Sequence, residues 1–413
     1  MSVKPLSVLF ITYDGLLDPL GGSQILPYLR SIACHPRLLH IVSFEKLERF
    51  SVGVQQLRGQ LAADGIGWTP LLFTTRLGKL GKLWDLSRMY IACLRLQRQH
   101  CFGVIHCRSY QAMQVGALLN RLTGARTIFD MRGLWVNERV DGGLWVQDRL
   151  VNRVAFRSYK RIECSLLACA SHVIALTERV VPELRRLSPK MTAPVTVIPC
   201  CADFDHFVLP ADAVRQAVRT ALGIAPSALV LSYLGSLGTW YMLGEMLHLF
   251  AAAARQRSDV QLLLITRDWR QEHEVLLNTM GLQVLRPRIH VRAASRDQVP
   301  DLLSASNIML SFIKPAYSKM ASSPTKLAEA FALGIPVISN KGVGDVDQIT
   351  QEMNAGAVID LNDAQAFDKL AGELDLICAK GGPGLRARAR ARFGLEVAEQ
   401  SYRNVYAELE RSS

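Results

Sequence analysis

Short apolar runs alternate with longer amphipathic segments along most of the chain, beginning with Val8–Thr12. A continuous apolar run of about four to eight residues is typical of a strand that is buried on both faces. Segments with apolar residues three and four positions apart are typical of helices. From these patterns we predict further strands at His40–Phe44, Trp68–Phe73, Val104–Cys107, Arg126–Phe129 and His172–Leu176, and helices around residues 51–63, 84–99, 110–123 and 145–170.

This alternation predicts parallel sheets with helices on both faces, and the length of the chain predicts two of them. A chain of 413 residues is long enough for two domains of ordinary size. The periodicity is lost near Arg185–Ala193, and a second series of strands and helices opens at Leu229–Leu234. We therefore predict an α/β protein of two Rossmann-like, doubly wound parallel-sheet domains that face each other across a cleft, covering residues 1–190 and 191–390, followed by a helix in residues 391–413.

Composition narrows the class of protein further. Hydrophobic residues make up 49% of the chain and charged residues 20%, which excludes a disordered protein. No apolar run reaches the roughly 18 residues of a membrane span. The first apolar run leads into Tyr13-Asp14-Gly15 without a cleavage site, so it is interpreted as a strand and not as a signal peptide. Nine cysteines without metal-ligand or disulfide-framework spacing predict reduced thiols in the cytoplasm and no metal site.

The positive charge is distributed unevenly. Residues 1–190 carry 26 Lys and Arg against 13 Asp and Glu, whereas residues 191–413 carry 22 against 23. The whole excess behind the net charge of +12 lies in the N-terminal half, which indicates an anionic partner there. Nucleic acid is not expected to be that partner, because no recognisable binding module and no interleaving of aromatic and basic residues is present.

One source of this charge is a predicted amphipathic helix. Arg149, Arg153, Arg157 and Arg161 recur every four residues, and apolar residues line the adjacent face. Such a stripe is either a solvated face or, together with the basic segment Arg76–Trp84, a contact with the headgroups of anionic lipids.

Ser322–Asn340 is the most informative stretch because it predicts a loop, a helix, a turn and a strand in succession. Pro324 fits the first helical turn, and Ser322 or Ser323 is suited to cap it. Gly334 is placed to end the helix before the apolar strand that follows. The start of the helix then exposes free N–H groups, which favour an anion.

The charged residues around this helix start fit a nucleotide. Lys319 and Lys326 flank the start, and Ser323 and Thr325 can add hydrogen bonds to an anion. Glu329, one turn further in, can accept hydrogen bonds from two hydroxyls of a ribose. A diphosphate bound by the lysines and joined to that ribose is a nucleoside diphosphate. The alternative is a plain capped helix and strand whose lysines are solvated.

Polar residues also follow the strands of the first domain. Asp130 and Arg132 come directly after the predicted strand Arg126–Phe129, and His106 lies near the end of the strand before it. The carboxyl ends of parallel strands share one edge of the sheet, where ligands bind. An acid and a base in this place predict a functional site, to which Glu138 also belongs. The alternative is a buried ion pair that closes the loop.

A glycine pair follows the first strand. Gly21 and Gly22 lie between Asp14 and a helical pattern that starts at Ile25, so we predict strand, glycine loop and helix, the start of a doubly wound unit. No G-x-G-x-x-G sequence is present, which disfavours a dinucleotide. The alternative interpretation of the glycine pair is a simple turn.

The stretch Ser322–Asn340 also resembles the C-terminal signature of the retaining nucleotide-sugar glycosyltransferases of family 4, which have the GT-B fold. In this signature two glutamates precede alanine, any residue, glycine, any residue, proline and valine. Glu329 matches the second glutamate, whereas the first falls on Ala321. The residues after Glu329 that match are Ala332, Gly334, Pro336 and Val337. The segments Val195–Phe207 and Gln298–Phe312 are similar to other parts of the family pattern.

The chain departs from the family at one place that matters for the diphosphate. Family members commonly have an arginine after the first glycine of the second domain and a lysine six positions later, and both bind the diphosphate. Here Gly235 is followed by Ser236, and Met242 stands at the later position. Because charge develops on the leaving diphosphate, the cations must come from elsewhere. The candidate substitutes are Lys319, Lys326 and Arg267.

The resemblance implies roles for the residues already singled out. Gly21 and Gly22 would let the backbone approach the donor diphosphate and the acceptor. Asp130 stands where family members often have a histidine that contacts the transferred sugar, and Arg132 and Lys326 are expected to act with it in catalysis. Further implied contacts are His106 and Glu138 with the acceptor, Arg267 and Arg292 beside the base, and the helix of residues 391–413 crossing back to the first domain.

The activity implied is retaining transfer of a sugar in surface polysaccharide or glycoconjugate synthesis. The nucleotide-sugar donor would bind the second domain, and a hydroxyl of a glycan or lipid-linked acceptor would bind the basic first domain. No metal or cofactor is required, because the helix start and the lysines screen the charge. The implied location is cytoplasmic and peripheral on the inner face of the membrane.

Two alternatives stay open. One is a non-catalytic nucleotide-sugar-binding subunit of the same fold, supported by Ala321, Ser236 and Met242. The other is a nucleotide-sugar 2-epimerase of GT-B type, which would form its product without an acceptor.

Overall fold

The computed structural model describes residues 7–33, 38–75, 78–363 and 365–411. Within these ranges the chain forms two compact units, one from Met1–Pro199 together with Leu395–Ser413 and the other from Cys200–Gly394. The chain therefore changes unit at Pro199 and again at Gly394, close to the residues 190 and 390 proposed from the sequence.

The first unit is a parallel sheet covered by helices. Its strands are β1 (Val8–Thr12), β2 (Leu39–Glu45), β3 (Ile66–Leu72), β4 (Val104–Arg108), β5 (Arg126–Asp130), β6 (His172–Ala175) and β7 (Val195–Val197). Its helices before the unit boundary are α1 (Pro19–Gln24), α2 (Leu26–Ala33), α3 (Leu47–Ala63), α4 (Gly78–His100), α5 (Ser109–Thr123), α6 (Trp135–Asp141), α7 (Leu150–Cys169) and α8 (Val181–Leu187). The strands lie in the order β3-β2-β1-β4-β5-β6-β7, and each pair is parallel.

The second unit has the same kind of architecture. Its strands are β8 (Val230–Leu234), β9 (Gln261–Ile265), β10 (Ile289–Arg292), β11 (Ile308–Ser311), β12 (Val337–Asn340) and β13 (Gly356–Ile359). Its helices are α9 (Asp212–Leu222), α10 (Leu243–Gln256), α11 (Gln271–Thr279), α12 (Val299–Ser304), α13 (Thr325–Ala332), α14 (Val346–Glu352), α15 (Ala366–Gly372), α16 (Leu374–Cys378) and α17 (Pro383–Phe393). The strand order is β10-β9-β8-β11-β12-β13, again with parallel pairs.

The last helix, α18 (Leu395–Arg411), follows Gly394 and belongs to the first unit. It packs on α2, where the rings of Tyr402 and Tyr28 lie 5.5 Å apart. Among the described residues, no helix is long and apolar enough to cross a membrane.

The observed strands confirm the predicted α/β fold class. All five residues of β1 are buried, which is why this strand appears in the sequence as a continuous apolar run. All five residues of β4 are also buried, although two of them are His106 and Arg108. The helix predicted for residues 145–170 begins later, at Leu150, and the shorter helix α6 precedes it.

Both sheets reverse their strand order near the middle. β1 pairs with β2 on one side and β4 on the other, and β8 pairs with β9 and β11 in the same way. At such a point the loops that leave the carboxyl ends of the two central strands diverge and open a crevice, where ligands of doubly wound sheets bind. Candidate functional residues are therefore expected after β1 and β4 in the first unit and after β8 and β11 in the second.

Candidate functional site

Lys326 is the central charged group of the site in the second unit. It lies in the first turn of α13, and its Nζ is 3.9 Å from the ring centre of Tyr241 and 4.4 Å from that of Tyr233. Nζ also donates a hydrogen bond of 3.2 Å to the hydroxyl of Tyr233, a residue of β8. The side chain is buried, and no carboxylate of the described residues forms an ion pair with it.

The environment of Lys326 changes its protonation. Burial lowers the pKa of the Lys326 ammonium to about 7, and the charge of Glu329 offsets only part of this shift. Aromatic ring faces stabilise a cation without neutralising it. An anionic ligand at this point would therefore meet a cation that no acidic side chain has paired.

Gly235 allows Lys326 to reach the end of β8. Its φ is +130°, a conformation that side chains rarely adopt, and a Cβ atom there would lie 3.1 Å from Nζ of Lys326. The hydroxyl of Tyr233 donates a hydrogen bond to the backbone carbonyl of Ser236, which fixes the loop, while the side chain of Ser236 is exposed. The structure thus brings together Gly235, Ser236 and Lys326, which are far apart in the sequence.

The start of α13 differs from the sequence prediction. The helix begins at Thr325, Pro324 occupies the N-cap position, and no side chain caps this end. Oγ of Ser323 instead accepts a hydrogen bond of 3.1 Å from the backbone N–H of Cys200. The predicted capping by Ser322 or Ser323 is therefore wrong. The residues from Ser322 to Thr325 are half-buried, so the helix start is not enclosed in the core.

Glu329 lies one turn into α13 and is paired with an arginine that the sequence analysis missed. Its Oε1 is 3.5 Å from Nη1 of Arg296, whose guanidinium lies 5.8 Å over the ring of Phe207. Burial raises the pKa of Glu329, while the charges of Arg296, Lys326 and His206 oppose this shift. Arg296 is exposed and opens the short 3-10 helix Arg296–Gln298 before α12, and nothing in its local sequence distinguished it from other surface arginines.

The other predicted cations of the second unit have different environments. Nζ of Lys319 lies 3.8 Å over the ring of Trp240, and the residue is buried. Arg267 and Arg292 are exposed and each donates a hydrogen bond to a backbone carbonyl, those of Ala294 and Val291 respectively. Neither arginine contacts Lys326 or Glu329. The cation beside Glu329 is instead Arg296, which was not predicted from the sequence.

The predicted site of the first unit is a closed ion-pair network. Asp130 ends β5 and is 1% exposed. Its carboxylate oxygens lie 3.4 Å from Nη1 of Arg108, 3.4 Å from Nη1 of Arg132 and 3.7 Å from Nε2 of His106. Burial by itself would raise the pKa of Asp130, but the nearby charges of Arg132 and Arg108 hold it well below its usual range.

His106 is buried beneath the C-terminal helix. Its Nδ1 lies 2.6 Å from the hydroxyl of Tyr406 in α18, and burial lowers the pKa of the imidazole. Because His106 and Asp130 point into a covered face of the sheet, the structure argues against the direct substrate contacts predicted for them. The observed arrangement is the alternative of a buried ion pair that closes the loop. Arg132 is partly exposed beside this network.

The loop after β5 is supported by a second buried carboxylate, which the sequence analysis also missed. The hydroxyl of Tyr110 contacts Oε1 of Glu163 at 2.5 Å and the carbonyl oxygen of Gly133 at 3.2 Å. Lys160 pairs with the other oxygen of Glu163. Glu138 lies in α6, close enough that a Cβ atom on Gly133 would be 3.6 Å from its Oε1. This network fixes the loop that leads into α6, the helix that carries the predicted acceptor residue Glu138.

The predicted glycine loop is not a loop. Gly21 and Gly22 lie inside α1, and the segment between β1 and this helix is short. The carboxylate of the buried Glu45 holds that segment by accepting hydrogen bonds from the backbone N–H groups of Leu16 at 2.8 Å and Leu17 at 3.2 Å. The prediction that these glycines form a loop is therefore wrong, whereas their contact with the donor diphosphate stays a prediction.

The two glycines give a matched pair of variants. A Cβ atom on Gly21 would lie 2.3 Å from the carbonyl oxygen of Gly15, whereas one on Gly22 would meet nothing within 4 Å. We expect Gly21→Ala to lower the free energy of unfolding by about 1–3 kcal/mol through overpacking. Gly22→Ala, inside a helix, should raise it by roughly 0.5–1 kcal/mol. Urea denaturation checks both, and equal effects of the two substitutions would contradict the packing assigned to Gly21.

The arginine stripe lies on an exposed face of α7 and at its N-cap. Arg149, Arg153, Arg157 and Arg161 are all exposed. Apolar residues of the same helix are exposed as well, among them Leu150 at 67%, Val151 at 74%, Val154 at 54% and Ile162 at 36%. Of the second basic segment, Arg76 and the side chain of Lys79 lie outside the described residues, and Trp84 is exposed on α4.

Comparison with known proteins defines the class of the protein. Residues 50–201 match the family model of the glycosyl transferase 4-like domain, and residues 228–374 match that of the glycosyl transferases group 1. Each match lies largely within one of the two units. The chain is a glycosyltransferase of GT-B type.

Solved structures share this fold over nearly the whole chain. Sucrose-phosphate synthase from Thermosynechococcus elongatus is 16% identical, with a TM-score of 0.72, 99% of this chain and 100% of that chain covered. HepE from Anabaena, solved in complex with UDP and glucose, is 16% identical and has a TM-score of 0.70. The match covers 98% of this chain and 100% of HepE. WaaG, a glycosyltransferase involved in lipopolysaccharide biosynthesis, is 14% identical, with a TM-score of 0.64 and coverage of 95% and 98%. No curated protein matches the sequence significantly.

Proposed function

We propose that the protein is a retaining, metal-independent glycosyltransferase of family 4 that uses a nucleoside-diphosphate sugar as its donor. The observation that carries this proposal is the unpaired, buried Lys326 beside Gly235 at the switch point of the second sheet, with Glu329 one turn further along α13. HepE, which shares the fold, has been solved with UDP-glucose. The donor would bind the second unit through these residues.

The roles follow from the charge of each group. Lys326, with Lys319 and the N–H groups at the start of α13, would bind the diphosphate in place of the usual arginine and lysine. Thr325 would add a hydroxyl hydrogen bond, and Glu329 would accept hydrogen bonds from the ribose, which a carboxylate held by Arg296 is suited to do.

Transfer would proceed on the face of the sugar from which the diphosphate departs. The bond between the anomeric carbon and the diphosphate oxygen breaks, and a bond to the acceptor hydroxyl oxygen forms on the same face. The hydroxyl proton moves to the released diphosphate. Lys326 stabilises the charge that develops on the leaving group, so its contribution is larger in the transition state than in the ground state.

Isothermal titration with UDP, ADP and GDP tests donor binding. We expect one of them to bind, with affinity reduced about tenfold or more in Glu329→Gln because the ribose loses charge-assisted hydrogen bonds. Glu373→Gln, a change of the same type in the same unit, serves as the control. Unchanged binding by Glu329→Gln would refute the placement of the ribose.

A non-catalytic subunit is the second candidate, and the departures at Ser236 and Met242 favour it. Met242 is used structurally, because its backbone N–H donates to Phe312 and it forms the N-cap of α10. Incubation with a radiolabelled donor separates the candidates. Transfer to a glycan or lipid-linked acceptor supports the enzyme, donor conversion without acceptor indicates a 2-epimerase, and binding without conversion indicates the subunit.

We further propose that α7 lies against the anionic inner face of the cytoplasmic membrane, where a lipid-linked acceptor for surface glycan synthesis would be presented. The four arginines are exposed beside apolar residues of the same helix, as in helices that lie in a membrane interface. Each arginine near an anionic surface contributes about 1 kcal/mol.

Vesicle flotation tests this contact. Changing the four stripe arginines together to Gln should reduce binding to phosphatidylglycerol vesicles by at least about tenfold. The control carries the same change at four exposed cations of the same unit, namely Arg58, Arg95, Arg98 and Lys190. If the stripe variant and the control variant lose vesicle binding equally, α7 is not the membrane contact. The same conclusion follows if the parent protein binds neutral phosphatidylcholine vesicles as well as phosphatidylglycerol vesicles.

A further inference from the structure

The second unit contains a cavity of about 250 Å³ at the edge of the sheet opposite to Lys326. Asn307 and Pro336 line it, and these residues directly precede β11 and β12. Gly235, by contrast, follows β8. Because the strands are parallel, the cavity lies at their amino ends and the candidate donor site at their carboxyl ends. The cavity is therefore separate from the site described above.

Two of the residues that line this cavity have a polar side-chain group without a partner among the residues that the structure describes. The Ser306 side chain is 1% exposed, and its Oγ makes no hydrogen bond. The guanidinium of Arg215 on α9 makes no hydrogen bond or ion pair, although burial lowers its pKa. An unpaired buried hydroxyl such as that of Ser306 is costly, and a ligand that accepts its hydrogen bond and pairs with the half-buried Arg215 would remove that cost.

The rest of the lining restricts the ligand. The apolar wall consists of Leu209, Pro210, Leu333, Ile335, Pro336 and Pro383. The exposed carboxylate of Asp212 also lines the cavity, and together with Cys378 it favours the charged form of Arg215. Because the charge of Asp212 offsets much of the charge of Arg215, the net positive charge of the cavity lining is small. This favours a monoanion over a doubly charged phosphate. The volume is below the roughly 300–1,000 Å³ of sites for larger ligands.

We propose that this cavity binds a small organic monocarboxylate. The planar carboxylate would accept hydrogen bonds from the guanidinium of Arg215, whose geometry it matches, and from Oγ of Ser306. A short apolar body would lie against the proline and leucine side chains.

A thermal-shift assay of the full chain tests the proposal. The probes, each at millimolar concentration, are butyrate, 2-hydroxybutyrate, benzoate, butyramide and inorganic phosphate. Calorimetry with the best probe then measures the affinity. At least one carboxylate should raise the Tm, and neutral butyramide should not. In Arg215→Gln the affinity should fall about tenfold or more, because a charge-assisted hydrogen bond is lost. Ser306→Ala should weaken binding without lowering the Tm of the free protein, because it removes an unpaired group.

Two controls separate this site from surface charge and from the donor site. Arg255→Gln removes an exposed arginine elsewhere in the unit, and Lys326→Met removes the cation of the donor site; both should bind the probe as the parent chain does. The proposal is overturned if no carboxylate raises the Tm, if phosphate alone does so, or if the shift persists in Arg215→Gln.

Discussion

We expect the affinity for a nucleoside diphosphate to fall as the pH rises from 7 to 9, by up to about tenfold per pH unit. In the free protein the pKa of Lys326 is about 7, because burial disfavours its charge. A bound diphosphate favours the ammonium form and raises this pKa. Binding above pH 7 must therefore take up a proton, and the affinity falls with rising pH until the pKa of the complex is reached.

Isothermal titration in two buffers of different ionisation enthalpy measures this effect. At pH 8 the parent protein should take up close to one proton per bound ligand. Lys326→Met, which keeps a similar length and apolar stem, should take up none at this site and should bind about tenfold to a hundredfold more weakly at pH 7. Lys369→Met, an exposed lysine of the same unit, should behave as the parent. An affinity that is constant from pH 7 to 9 would show that Lys326 does not bind the diphosphate.

The second large effect is on stability, at Asp130. Replacing its carboxylate by an amide leaves Arg132 beside a neutral group and leaves Arg108 with the half-exposed Asp14, 3.6 Å away, as its carboxylate partner. Removing one partner of a buried ion pair costs about 3–5 kcal/mol, because the remaining charge is uncompensated. We expect Asp130→Asn to lower the free energy of unfolding of the first unit by this amount, whereas the exposed Asp148→Asn should leave it within about 0.5 kcal/mol.

The same network predicts a pH dependence. The pKa of Asp130 is lowered in the folded protein, so its stabilising contribution is present above the unfolded value of about 4 and is lost as the pH falls below it. Asp130→Asn should lack this part of the acid sensitivity.

Urea unfolding followed by tryptophan fluorescence measures both effects. Changing Trp240 and Trp269 to Phe in every variant confines the signal to the tryptophans of the first unit. If Asp130→Asn lowers the free energy of unfolding by less than about 1 kcal/mol but abolishes sugar transfer, the structural role is contradicted. Asp130 would then contact the substrate, as predicted from the sequence.

Much of the candidate donor site was predictable from the sequence because it lies in one short segment. Ser322–Asn340 contains Thr325, Lys326 and Glu329 at fixed helical spacing, so their proximity follows from local structure. Arg296 was not predictable, because it approaches Glu329 only when the fold places the 3-10 helix before α12 next to α13.

The first unit shows the opposite situation. Asp130 and Arg132 are two positions apart in the sequence, and their pairing was foreseen as an alternative. The burial of His106, however, depends on α18, which is some 300 residues away in the chain. The glycine pair was misassigned for a related reason. The segment before α1 is held by Glu45 of β2, and this contact lets Gly21 and Gly22 belong to the helix.

The sequence by itself determined the two parallel sheets, the order of their elements and the helix that carries Lys326 and Glu329, because apolar periodicity and helical spacing are local properties. Only the tertiary structure decided which charged groups are paired and which are left unpaired. Ion pairs and burial depend on residues from distant parts of the chain. At both sites an acidic and a basic residue lie close together in the sequence, but the fold forms a closed ion-pair network around Asp130 and leaves Lys326 without an ion pair.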